Sequence, residues 1–200
     1  MNPLTSVRGS IATGFVVALL VSLLIGPTGF MELGLARWLH VLSGVMWIGL
    51  LWYFNVVQVP ALAEAAVDKG GPGGAGISKY VAPRAMFWFR WASLATWLTG
   101  AWYLLRAGNF AGAFMLGLGS NPTNYYQLII GIGAWLGTIM LFNVWALIWP
   151  NQKKILGLVP ASDDEKTRAR KVALYASRSN FVLSISLLLC MGSASHGLPF

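Results

Sequence analysis

The sequence predicts an all-α integral membrane protein, a bundle of about five transmembrane helices forming a single domain over residues 1–200. Three observations predict it. Of the 200 residues, 56% are hydrophobic and only 10% charged, whereas a soluble domain carries about 25% charged residues. Long charge-free runs recur along the chain, each close to the ~20 apolar residues that cross a bilayer. Between them lie segments crowded with Gly, Pro, Asn or charge, which break helices. Ten Trp and six Tyr suit interfacial anchoring.

The first span is expected over about 10–27, ending near Gly26–Pro27. No small-x-small cleavage site follows it, so it reads as an uncleaved helix rather than a signal peptide. The second should fill about 33–58, since Trp38–Ala63 is free of charge and Pro60 closes the run. The third is expected over about 84–105, with Arg90 near one end snorkelling to the interface. The fourth runs about 125–149 and ends at Pro150, with Asn143 mid-helix as interhelical glue. The fifth runs about 173–196. Asn55 and Gln58, at the end of the second span, read as interfacial.

The connections are legible too. DKGGPGGAGIS (68–78) is a flexible loop, and GNFAGAFMLGLGSNPTN (108–124) is a loop with one short interfacial turn. The polar stretch 151–171 is expected to form a short surface helix in its second half. Ser162 caps it, and the acids of its first turn favour the positive end of the helix dipole.

Threading these spans through a membrane separates the 14 Lys and Arg sharply. All but Arg37 and Arg106 fall on the side of the N-terminus, the 68–78 loop and the 151–171 segment. The positive-inside rule then puts the N-terminus in the cytoplasm and the C-terminus outside, in a bacterial inner membrane. The net charge of +8 is explained by these loops. No basic stripe lies on a soluble face, so a nucleic-acid partner is not expected. The single cysteine, Cys190, excludes an intramolecular disulfide, a covalent haem c through Cys-x-x-Cys-His and a cysteine-based zinc site.

Against this background the two histidines of the chain stand out. His40 lies about 10 Å into the second span from its outer end, at 1.5 Å per residue. His196 lies at the outer end of the fifth. Both therefore fall in one leaflet, on different helices, as a bis-histidine haem b requires. Gly44, one turn from His40 on the same face, would let a flat macrocycle approach the backbone. Trp47, two turns away, could wall the same pocket. Arg37, one turn on the other side, could meet a haem propionate. A copper site with thioether help from Met191 and Met140 is the alternative for the same imidazoles. A histidine serving only as a hydrogen-bonding partner between helices is the other. No paired carboxylates, Ser/His/Asp set or phosphate-binding loop is present.

Four stretches, RWLHVLSGVMWIG (37–49), FWFRWASLATWLTGAWYLL (87–105), GTIMLFNVWALIWPNQKKI (137–155) and RSNFVLSISLLLCMGSASH (178–196), are similar to the transmembrane domain of the membrane-bound bacterial urate oxidase (urate hydroxylase) family. The resemblance covers about residues 35–196. It implies that His40 is the histidine of the family's Arg-Trp-Leu-His motif. It makes His196 the histidine of a terminal Ser-Asn-His segment, here Ser-Ala-Ser-His. Asn143, Pro150, Asn151, Gln152 and Lys153 match the Asn…Pro-Asn-Gln-Lys stretch. In the family a cytochrome c domain follows, which implies an outside C-terminus. This sequence contains no Cys-x-x-Cys-His, and near Gly131 it lacks a histidine that the family has there.

The expected function is a cytochrome b-like membrane protein with His40 and His196 as ligands to the haem iron, exchanging electrons with a cytochrome c, a quinone or the subunits of a membrane complex. A urate-oxidase-like oxidoreductase with one histidine ligand, and a cofactor-free accessory subunit, are the alternatives.

Overall fold

The computed structural model describes residues 2–26, 31–119 and 123–199. Every regular element among them is helical. The chain divides into two compact units, residues 1–32 and 33–200. The first holds α1, Val7–Ile25, which starts at a Ser6 cap accepting from the Gly9 amide. Pro27, where the first span was expected to end, lies outside the described residues.

The second unit is a bundle of four long rods. The first, α2, runs Glu32–Val67, and α3 runs Ala82–Arg106. The short α4 is Phe110–Phe114. Then come α5, Tyr125–Ile155, and α6, Asp163–Ser193. The one-turn helix expected between the third and fourth spans is α4. Helices α1, α2, α5 and α6 are long and apolar enough to cross a membrane. Helix α3 is long enough, at 25 residues, but its four tryptophans and three arginines make it less apolar.

Three boundaries differ from the sequence expectation, for definite reasons. Pro60 and Pro150 do not end their helices: α2 runs on to Val67 and α5 to Ile155. In each rod a wide π turn precedes the proline, Tyr53–Gln58 and Asn143–Ile148. There the bonds run i to i−5, Val59 N–H to Phe54 O and Trp149 N–H to Val144 O. The shifted register absorbs the missing amide and the bulk of the ring, which would kink a regular helix. Side-chain amides take up nearby carbonyls: Asn55 Nδ2 donates to Leu51 O at 2.9 Å and Asn151 Nδ2 to Leu147 O at 2.7 Å. The third difference is at α6. Ser162 does cap a helix, through a reciprocal bond pair with Glu165. That helix is not short, however, and continues unbroken for 31 residues.

Successive rods run antiparallel. One end of the unit therefore gathers Lys69, Lys79, Arg84, Lys153, Lys154 and the basic start of α6, while Arg37 and Arg106 lie at the other. The packed core sits in the basic half. Trp47, Leu51 and Phe54 of α2 meet Met86, Phe89 and Ala92 of α3, Met140, Val144 and Ile148 of α5, and Ala176 and Leu187 of α6. Polar bonds stitch the same half. Asn143 Nδ2 donates to Asn180 Oδ1 at 2.8 Å, and Asn180 Nδ2 to Met140 O at 2.9 Å. Asn55 Nδ2 donates to Ser177 Oγ at 3.0 Å and Trp52 Nε1 to Ser184 Oγ at 3.2 Å. Asn143 is thus the interhelical glue expected of it. Asn55 and Gln58 are not interfacial: they are 8% and 9% exposed, because the π turn rotates them into the bundle. The repeated Phe-Asn-Val of the two π turns, 54–56 and 142–144, sends one asparagine from each rod to α6.

Candidate functional site: a histidine-bordered cavity

In the other half of the unit the same rods line a cavity of about 780 Å³. This is within the ~300–1,000 Å³ range of ligand and cofactor pockets. Arg37, His40, Gly44 and Trp47 line it from α2, Thr96, Trp97, Gly100 and Tyr103 from α3, and Phe114 from α4. Tyr126, Gly133 and Gly137 line it from α5, Leu187, Met191 and Gly192 from α6, and His196 from the turn beyond. All five residues singled out in the sequence, Arg37, His40, Gly44, Trp47 and His196, therefore border one space.

His40 is held by α3. Its Nδ1 lies 2.8 Å from the Thr96 carbonyl oxygen. A carbonyl only accepts, so Nδ1 carries the proton and Nε2 keeps its lone pair. The ring reaches this position because residue 100 is glycine. A Cβ there would stand 2.8 Å from His40 Cε1 and 2.9 Å from Nδ1, too close to coexist with the ring. Thr96 and Gly100, one turn apart on α3, thus form a seat for the imidazole.

His196 comes from the end of α6. The helix closes with Gly197 in the left-handed region, φ +87°, its amide bonded to Ser193 O at 2.7 Å. Only glycine adopts that conformation without strain. The closure places exposed His196 on the rim of the cavity.

The remaining wall is mostly apolar, with polar groups at one end. Trp47 is 2% exposed and its indole Nε1 has no hydrogen-bond partner, a donor left open on a wall residue. Gly44 is not required by helix packing, since a Cβ there would meet only Thr96 Cγ2, at an ordinary 3.6 Å. Of the two methionines named for a copper site, Met191 borders the cavity. Met140 is fully buried in the packed core instead. Among the described residues no three His, Cys, Asp or Glu side chains converge.

Sequence reasoning missed Thr96, Gly100, Tyr103 and Tyr126. The Thr-x-x-x-Gly pair of α3 was a readable signal, because residues four apart share a face. Nothing in the sequence says that this face meets His40. Arg90 also differs from its reading as a snorkelling residue: its guanidinium stacks on Trp149, 3.5 Å from the ring centroid.

Neither the curated proteins nor the solved structures compared with the chain give a match. The family comparison does: residues 125–200, which carry α5, α6 and His196, match the family described as Urate oxidase N-terminal, the family that the sequence motifs resemble.

Proposed function

We propose that the cavity holds a haem b between His40 and His196, and that the protein passes single electrons to or from a partner at the membrane. One observation carries this reading. His40 Nδ1–H is committed to the Thr96 carbonyl at 2.8 Å, so Nε2 offers a lone pair on a residue bordering a cavity that His196 also borders. Ligating histidines are held in this way, the second nitrogen fixing the tautomer and the ring plane.

The residues present fit the group. Gly44 and Gly192 leave room for a flat macrocycle, and Trp47, Phe114 and Leu187 supply an apolar wall. Arg37, Tyr103 and Tyr126 are the groups that would receive carboxylates. Haem iron held on both faces supplies a one-electron couple and no open position. Here the protein's own part is to orient His40 through Thr96 and Gly100, and to exclude water with the aromatic wall.

The basic end of the unit supports an inner-membrane protein with that end cytoplasmic, the N-terminus inside and the C-terminus outside. The cavity would then lie in the outer leaflet. A cytochrome c, a quinone or the subunits of a larger membrane complex are the partners this placement favours.

A second reading rests on His196, which is exposed and beyond the last helical turn. If His40 alone ligates, an iron position stays open and the chemistry becomes that of an oxidase. The family match over residues 125–200 supports a urate-oxidase-like reaction in that case. The deciding experiment is the absorption spectrum of the oxidised and reduced protein with a pyridine haemochrome assay, run beside His40→Ala and His196→Ala. A low-spin haem b spectrum that either substitution turns high-spin or abolishes supports the bis-histidine cytochrome. A high-spin wild type unchanged by His196→Ala favours the oxidase. A colourless protein from haem-replete cells removes both and leaves the accessory subunit.

A further inference from the structure

At the basic end, α3 and α5 build a second feature that the cavity does not use. The Arg90 guanidinium carbon lies 3.5 Å from the centroid of Trp149, 5.5 Å from that of Trp145 and 5.9 Å from that of Trp91. Lys153 places its ammonium 5.9 Å from the same Trp149 ring. Two cations thus share one indole. Cation–π attraction offsets part of their repulsion and holds them there.

Neither cation has a counter-ion among the described residues. Two acids of this end are taken elsewhere, Glu165 by Lys154 and Asp163 by Lys166, each at 3.4 Å, and Glu64, Asp68 and Asp164 pair with neither Arg90 nor Lys153. Arg90 Nε and Nη1 are buried without a partner. Of its three nitrogens, Nη2 is the one left accessible. A snorkelling arginine extends into water, where its donors are hydrated. Arg90 is instead clamped flat on an indole with its charge unanswered, eight residues into α3 and so about 12 Å along it.

We propose that Arg90 and Lys153, set against Trp149, bind the phosphate of an anionic phospholipid. Headgroup phosphates lie at the depth where tryptophans collect in a membrane protein. Arginine's planar fork suits a phosphate while its face stays stacked on a ring. The surroundings favour a lipid over a free anion. Trp91, at the edge of the cage, is 47% exposed, and Leu98, seven residues on along α3, is 52% exposed. Phe142, three residues before Trp145 on α5, is 62% exposed. An acyl chain running away from the phosphate would lie along this apolar surface. A soluble phosphate would leave it unused.

The test is native mass spectrometry of the purified, delipidated protein in neutral detergent, titrated with dioleoylphosphatidylglycerol and, separately, dioleoylphosphatidylcholine. The wild type should bind the anionic lipid preferentially, and millimolar inorganic phosphate should not displace it. Arg90→Gln and Lys153→Gln should each weaken binding about fivefold, from ~1 kcal/mol per basic residue near an anionic surface. The Lys153 side chain makes no hydrogen bond or ion pair among the described residues, and its backbone carbonyl keeps its bonds from Leu158 and Val159 whatever the side chain, so Lys153→Gln should keep the wild-type melting temperature in the absence of lipid. Should Arg90→Gln fail to fold, Lys153→Gln carries the test. Equal affinity for the two lipids, or wild-type affinity in the folded variants, overturns the proposal. Displacement by inorganic phosphate also overturns it, by making the site one for soluble anions.

Discussion

The two halves of the four-rod unit are built from the same helices and do opposite things. In the basic half, large side chains and amides face inward: Trp47, Phe54, Phe89 and Ile148 fill the axis, and Asn180 ties α5 to α6 through two bonds. In the other half five of the inward positions are glycines, Gly44, Gly100, Gly133, Gly137 and Gly192, and a cavity remains. Trp47 and Leu187 belong to both and form the floor between them. A void of that size would be costly in an isolated helix pair. Here the packed half sets the spacing of all four rods, so the open half need not collapse. Fold and the proposed haem site can then be perturbed separately.

Four substitutions test this division, from the largest expected effect to the smallest. Phe89→Ala, in the packed half, removes a ring that is 1% exposed and packs edge-on to Phe54 at 5.4 Å. It should destabilise by about 3–5 kcal/mol, measured by denaturant unfolding in detergent, and take haem binding with it. Gly44→Leu, in the open half, should do the reverse. Its side chain would project into the cavity, so haem content should fall at least about tenfold, equivalent to ~1.4 kcal/mol, with the melting temperature of the haem-free protein unchanged or raised. If instead it unfolds the protein, the two halves are not independent. Gly100→Ala drives a methyl into the His40 ring and breaks the bond to Thr96. The spectrum of bound haem should shift, and its content should fall less than with Gly44→Leu. An unaltered spectrum would mean that His40 is not a ligand. Asn143→Ala removes one interhelical bond, for which about 0.6–2 kcal/mol is expected in a membrane bundle. Haem content measured beside it should not change.

How much of this was readable depends on how far apart in the chain the interacting groups lie. The loop expected over 68–78 is shorter, because residues 75–78 already belong to the helical turns, Ile77–Val81 among them, that lead into α3, whereas the helices and the Ser162 cap are local and were visible. So was the alignment of Arg37, His40, Gly44 and Trp47 on one face of α2, which follows from helical periodicity. The continuation of α2 and α5 past their prolines was not. Proline's local effect is to stop a helix, and only the π turns, stabilised by contacts with α6, relieve it. Asn55 and Gln58 were misplaced for the same reason. Arg90 was read as snorkelling because nothing near it in sequence announces Trp149, 59 positions away on another helix.

Residue chemistry and spacing by themselves determined that this chain is a helical membrane protein, that its charge is segregated to one end, and that its two histidines lie at the opposite end. These follow from hydropathy, length and helical pitch, which act residue by residue. Only the tertiary structure decided that the histidines border one cavity, that the Thr96 carbonyl fixes the tautomer of His40 in the room left by Gly100, and that α2 runs through Pro60. Those outcomes depend on which helix faces meet across the bundle. That is set by the packing of side chains far apart in the chain, which no local pattern encodes.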